Sequence, residues 1–216
     1  MAARGVSGPR IRARSREYER RAHEHRPSRN HRPQADALGQ SAGVGRNLSV
    51  NAERFREAVT AGGPPAEAAL AYVALGWSVV PVHTPTGERC SCGRPDCQSP
   101  GKHPRVAWER WMHHRPSVAE VLGWWRRWPA ANVAVVTGAV SRVAVVDVDV
   151  RMHGERALAE REREFGPLQE TAESRTGGGC RLIWLAVPSA VATSTVLAPG
   201  LELKAEGATV VAPPSL

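Results

Sequence analysis

The chain has 216 residues, enough for one domain with a substantial core or one domain and a tail, and carries 29 Lys and Arg against 21 Asp and Glu for a net charge of +8. It has no run of 18 apolar residues to form a membrane span and no apolar core of a signal peptide, so the sequence excludes a membrane helix and points to a cytoplasmic protein.

The charge is unevenly placed. Residues 1–50 hold eleven arginines and four carboxylates, so nearly all of the net charge lies there. From Met1 to about Asn47 the sequence is Arg, Ser, Pro and Gly with few apolar residues, and such a segment cannot bury enough surface to offset its ordering entropy. The sequence therefore predicts a disordered, Arg-rich tail over 1–50 ahead of a folded domain over 51–216. The tail could hold nucleic acid through phosphate contacts that fade with salt. It could equally be a solvated extension.

In the folded part, Pro65 to Leu75 has apolar residues at helical spacing, with Pro65 in the first turn and Gly76 at the stop. Trp77 to Val82 reads as a short strand. A loop rich in Gly, Pro and Cys follows from His83 to Arg105, and within fourteen residues it places Cys90, Cys92, Cys97 and His103. Three thiols and an imidazole among turn formers suit a closed, tetrahedral zinc shell that staples a loop lacking its own core. A disulfide fits less well, because a Cys-x-Cys pair closes a strained ring and the cluster has an odd number of thiols. Either His103 or His83 could be the fourth ligand.

Five of the seven tryptophans lie between Trp108 and Trp128, interleaved with Arg110, Arg115, Arg126 and Arg127. Such a pattern can stack nucleic-acid bases while the arginines meet phosphates. Val118, Val121, Leu122 and Trp125 nonetheless fall at spacings of three and four, which makes part of this segment ordinary helix core. Val133 to Gly138 then reads as a strand leading through a turn at Ser141 into Val143–Val150. Two apolar strands so tightly joined are expected to pair as an antiparallel hairpin.

The second of these strands, Val143-Ala-Val-Val-Asp-Val-Asp-Val150, carries two carboxylates two residues apart. Side chains at i and i+2 of a strand share a face, so Asp147 and Asp149 are expected side by side. A divalent cation with oxygen ligands, Mg²⁺ or Mn²⁺, would relieve their repulsion. A strand end that has simply reached solvent would explain the pair as well.

Gly154 to Phe165 reads as a charged helix with Ala157, Leu158 and Phe165 on its apolar side. Thr176-Gly-Gly-Gly179 opens a strand from Cys180 to Val187, and its glycines suit either a turn against a phosphate-bearing ligand or a plain hairpin turn. Near the chain end Leu201 and Leu203 alternate with Glu202 and Lys204, a half-buried strand presenting a carboxylate and a cation on one face.

Gly76-Trp-Ser-Val-Val-Pro-Val82, the Cys-rich loop with Gly101-Lys-His-Pro104, Asn132-Val-Ala-Val-Val-Thr-Gly138, Val145-Val-Asp-Val-Asp149, Thr176-Gly-Gly-Gly179 and Val210-Val-Ala-Pro-Pro-Ser215 follow one another in that order. Together they resemble the N-terminal domain of bifunctional DNA primase/polymerases, of the archaeo-eukaryotic primase superfamily, over about Ala66 to Ser215. The resemblance implies an α+β fold with an RRM-like antiparallel sheet and a zinc-stapled loop. It implies template-dependent nucleotidyl transfer from nucleoside triphosphates on single-stranded DNA, with a helicase acting in trans. Asp147 and Asp149 match the family's first metal ligands and Glu202 its third carboxylate, so all three would be catalytic and bind magnesium or manganese. Gly178, Gly179, Arg181 and Lys204 would bind the nucleotide. In two respects the chain departs from the family: Arg181 stands where relatives have a phosphate-contacting His, and Leu216 ends the chain where relatives commonly add a strand and a helicase domain. A degenerate, non-catalytic nucleotide or single-strand binding module is the alternative reading.

Overall fold

The helix expected before Gly76 forms where Pro65 opens it: α1 runs Pro65–Ala74, and the chain leaves it through Gly76 at φ +82°. It belongs to a computed structural model that describes Phe55 and residues 63–187 and 193–216. The tail expected over 1–50 lies outside the described residues.

Beyond α1 come β1 (Ser78–Val82), the two-residue strands β2 (Pro85–Thr86) and β3 (Arg89–Cys90), and a 3₁₀ turn at Glu109–Met112. Next are α2 (Val118–Arg127), β4 (Asn132–Val136), β5 (Val143–Val148), a 3₁₀ turn at Val150–Met152 and α3 (Gly154–Phe165). The remainder is strand: β6 (Ala172–Arg175), β7 (Arg181–Ala186), β8 (Thr195–Ala198), β9 (Leu201–Lys204) and β10 (Thr209–Ala212). The protein is thus a mixed helix and sheet structure whose sheets are antiparallel throughout.

One sheet has the order β1-β4-β10 and the other β6-β7-β5-β9-β8, with β2 and β3 forming a separate hairpin in the Cys-rich loop. The expected β4–β5 hairpin does not form. Apart from one bridge, Gly138 to Val143, β4 pairs with β1 and β10 while β5 pairs with β7 and β9. Both strands are buried on both faces, so each takes a central place with a neighbour on either side. Between them Ser141 fixes the crossing: its hydroxyl donates to the Val136 carbonyl at 2.5 Å and accepts from the Ser78 amide at 2.9 Å.

The main core lies between the two sheets. Val79, Val133, Val135, Val143, Val145, Leu182, Trp184 and Val210 fill it from the strands, Tyr72 and Trp125 from α1 and α2. Trp77 stacks on both Tyr72 and Trp184, with ring centroids 5.5 and 5.6 Å apart. On its far face the larger sheet packs Val146, Val148, Ile183 and Leu201 against Ala157 and Leu158 of α3. The smaller sheet packs Val80, Val82, Ala134 and Val136 against Trp111. Trp111 and Trp125 are therefore core, as helical spacing suggested for part of that segment. Trp111 and Trp128 already carry arginines over their rings, Arg110 at 4.2 Å and Arg127 at 4.8 Å. Among the described residues no helix is long and apolar enough to cross a membrane.

Candidate active site and metal centre

Strand parity places the first carboxylate. Val143 and Val145 of β5 face the main core and Val146 and Val148 face α3, so Asp147 points to the core side at the end of the strand. Cross-strand partners share a face, and Asp147 is directly opposite Glu202 of β9 and Leu182 of β7. Lys204 stands on that same face opposite Val145 and forms an ion pair with Glu202. Register therefore brings Asp147 and Glu202 together from positions 55 residues apart in the chain.

Asp147 is half-buried, and its Oδ1 is buried with no hydrogen-bond partner. Burial raises its pKa, Lys204 and Lys102 oppose the rise, and the Glu202 and Asp149 carboxylates add to it. Such an oxygen lacks a cation or donor.

Asp149 behaves differently. Strand β5 ends at Val148, and Asp149 caps the following 3₁₀ turn by accepting the Arg151 amide at 3.0 Å. The Arg151 guanidinium adds contacts of 3.2 and 3.3 Å, and these bonds hold the Asp149 carboxyl below its usual range. Its backbone is pinned from two sides, with its amide on the Gly200 carbonyl at 2.8 Å and its carbonyl on the Gly154 amide at 2.9 Å. A side chain on Gly154 would strike the Gly200 carbonyl, so the close approach requires glycine there.

Arg181 takes the other face of the sheet. It pairs with Val148 in the ladder and so faces α3, away from Asp147. There it is held by Glu173 at 2.6 Å and Glu155 at 3.2 Å. The β7 residue that flanks Asp147 on the acidic face is Leu182, which is buried and has no polar group.

The glycine run makes the β6–β7 hairpin turn. The Thr176 amide donates to the Cys180 carbonyl, the Gly179 amide to the Thr176 carbonyl, and Gly179 has φ +88°. The turn also borders a cleft of about 340 Å³, whose lining includes Arg175, Thr176, Gly178, Leu182, Lys102 and Pro213. Gly178 lines this cleft, whereas Gly179 serves the turn. Lys102, from the Gly101-Lys-His-Pro104 segment, acts on the Asp147 carboxyl.

The thiol cluster assembles as expected. One ligand atom each from Cys90, Cys92, Cys97 and His103 lies within 4.8 Å of the others. His103 Nε2 is 3.4 Å from Cys90 Sγ and 3.5 Å from Cys97 Sγ. Burial pushes the Cys90 thiol up, but hydrogen bonds from the backbone at Gly101 and Cys92 and the contact with His103 outweigh it and bring it to about 6. His83 is instead engaged with the Ser91 hydroxyl at 3.0 Å and stacks on His103, so His103 completes the set. Cys₃His is a donor set that could hold structural zinc. The three carboxylates are not gathered so closely: among the described residues the cysteine cluster is the metal-ligand group that meets at one point.

The architecture is that of a mixed helix and antiparallel-sheet domain with a Cys₃His cluster that could hold zinc and an acidic strand end near a cleft. The family model for the bifunctional DNA primase/polymerase, N-terminal domain (Prim-Pol), matches residues 69–216, and the chain belongs to that family. No curated protein matches it.

Proposed function

We propose that the protein is a DNA primase/polymerase, extending a strand on a single-stranded DNA template from nucleoside triphosphates, with the larger sheet as the RRM-like sheet of the superfamily. Membership of the family makes a nucleotidyltransferase-type enzyme the general expectation. The observation that carries the particular reading is the partnerless buried Oδ1 of Asp147, set directly across the ladder from Glu202. Asp147, Glu202 and Asp149 would hold two divalent ions, Mg²⁺ or Mn²⁺, once Arg151 and Lys204 release their carboxylates. Ions bound there would acidify the attacking 3′-hydroxyl and neutralise the leaving pyrophosphate. Lys204 would then be available to the nucleotide's phosphates, with Gly178 and Gly179 shaping the turn beside them. A helicase acting in trans would supply the single strand.

A second reading is a nucleotide or single-strand binding module with little catalysis. Leu182 favours it, because the strand position flanking Asp147 offers neither a donor nor a charge. Primer extension with labelled dNTPs and Mn²⁺, run beside the Asp147→Ala/Asp149→Ala double variant, separates the two. Extension by the unaltered chain alone is expected; failure of a folded, DNA-binding protein to extend would establish the binding module.

A further inference from the structure

The cations around the acidic face are mostly committed. Lys204 is paired with Glu202, Arg151 with Asp149, and Arg181 with Glu173 and Glu155. Among the described residues two cations that line the cleft make no ion pair, Lys102 and Arg175; the charge of Arg175 acts on Glu173, and that of Lys102 reaches Asp147. An anion entering the cleft near the Asp147 carboxylate needs a cation to offset its repulsion. The side-chain-free Gly177 and Gly178, the Thr176 hydroxyl and the apolar Leu182 and Pro213 also line the cleft. A pocket of that size and mixed lining suits a nucleotide.

The backbone under Lys102 has little freedom. Gly101 packs on Pro85, where an added Cβ would come within 2.8 Å of Cδ, and its carbonyl accepts from Asn132 at 3.5 Å. The Lys102 amide donates to Ser99 at 3.2 Å, and the His103 carbonyl accepts from His83 at 2.9 Å. His103, the next residue, is a member of the thiol cluster.

We propose that Lys102 binds the phosphates of a nucleoside triphosphate in this cleft, and that zinc on Cys90, Cys92, Cys97 and His103 sets its position, coupling metal loading of the loop to nucleotide affinity. The proposal rests on the nucleotide reading above. Since coupling between two sites is reciprocal in free energy, bound triphosphate must in turn raise the affinity for zinc.

Two measurements on the full chain test it. In the first, binding of dATP and of deoxyadenosine is compared for the unaltered protein, Lys102→Ala, Lys102→Arg and Arg94→Ala, with Ca²⁺ present. Arg94 lies on the far side of the cluster, against Cys97 and His103, and does not line the cleft. Lys102→Ala is expected to weaken dATP binding about tenfold, the worth of a charge-assisted contact, and to leave deoxyadenosine unchanged. Lys102→Arg and Arg94→Ala are expected to bind as the unaltered chain does. In the second, zinc is partitioned at equilibrium between the protein and a coloured chelator with and without dATP. A several-fold tighter hold on zinc with dATP in the unaltered chain and none in Lys102→Ala is expected. Equal dATP binding by Lys102→Ala, or a zinc affinity indifferent to dATP, would overturn the proposal while primer extension by the unaltered chain left the polymerase reading standing. If the unaltered chain neither binds dATP nor extends a primer, both fall together.

Discussion

Burial, the neighbouring Glu202 and Asp149 carboxylates and the lack of a partner for Oδ1 all make the charged form of Asp147 unfavourable in the folded protein, against the pull of Lys204 and Lys102. A carboxyl whose folded pKa lies above its unfolded value stabilises the fold at low pH, and that contribution is lost as pH rises through the folded pKa. Asp147→Asn is therefore expected to raise Tm by a few degrees at pH 7 without metal, about what 1 kcal/mol is worth in a domain of this size. The gain should disappear as pH falls toward 3.8, where the native acid is protonated too. Thermal melts from pH 4 to 8 check this, and added Mn²⁺ should reverse the order of the two proteins. For Arg181 the expectation is structural. Replacing it with Ala should lower the unfolding free energy from urea melts by about 1 kcal/mol, since its carboxylate partners are partly exposed, and leave dATP affinity unchanged.

At the scale of elements, the end of β5 is held by its neighbours as well as by its own sequence. Gly154 at the start of α3 meets Gly200 between β8 and β9 so closely that their backbones touch around Asp149, and Gly200 has φ +74°. Gly154→Ala is expected to cost 2 kcal/mol or more, roughly the penalty of a strained close contact, and to displace Asp149. Denaturant melts measure the first, and Mn²⁺ affinity the second. The zinc loop is a separate matter. Its β2–β3 hairpin has two residues per strand and no core cluster of its own, so its order depends on the four ligands. Chelation should expose Arg89, Arg94 and Lys102 to trypsin while the tryptophan fluorescence of the sheet core, from Trp77 and Trp184, stays native.

For the whole molecule, the uneven charge makes its own prediction. The arginines of residues 1–50 supply most of the net charge, so a chain lacking them should bind single-stranded DNA more weakly with a shallower salt dependence. Titrations at 50 and 200 mM salt would reveal whether the two chains converge, as loss of a purely electrostatic term requires. Edge strands β6 and β8 were not legible in the sequence. Ala172-Glu-Ser-Arg175 and Thr195–Ala198 are largely exposed, and a strand that buries little leaves little hydrophobic pattern. Strands β1, β4 and β5 were legible for the opposite reason, being covered on both faces and hence continuously apolar.

Ligand chemistry and local spacing were enough to identify the thiol cluster and the family, because each depends on residue types close together in the chain or on a fixed order of motifs. Face and register were decided only by the tertiary structure. Strand β7 has Leu182, Ile183 and Trp184 buried in succession, so no alternation announces which side Arg181 takes. Pairing with β5 settled that question, turning Arg181 to α3 and Leu182 to the acidic face. Pairing of β5 with β9 aligned Asp147 with Glu202, and the packing of the Cys-rich loop brought Lys102 to the cleft. Contacts between residues tens of positions apart depend on how sheets and loops pack, and composition along the chain does not encode them one residue at a time.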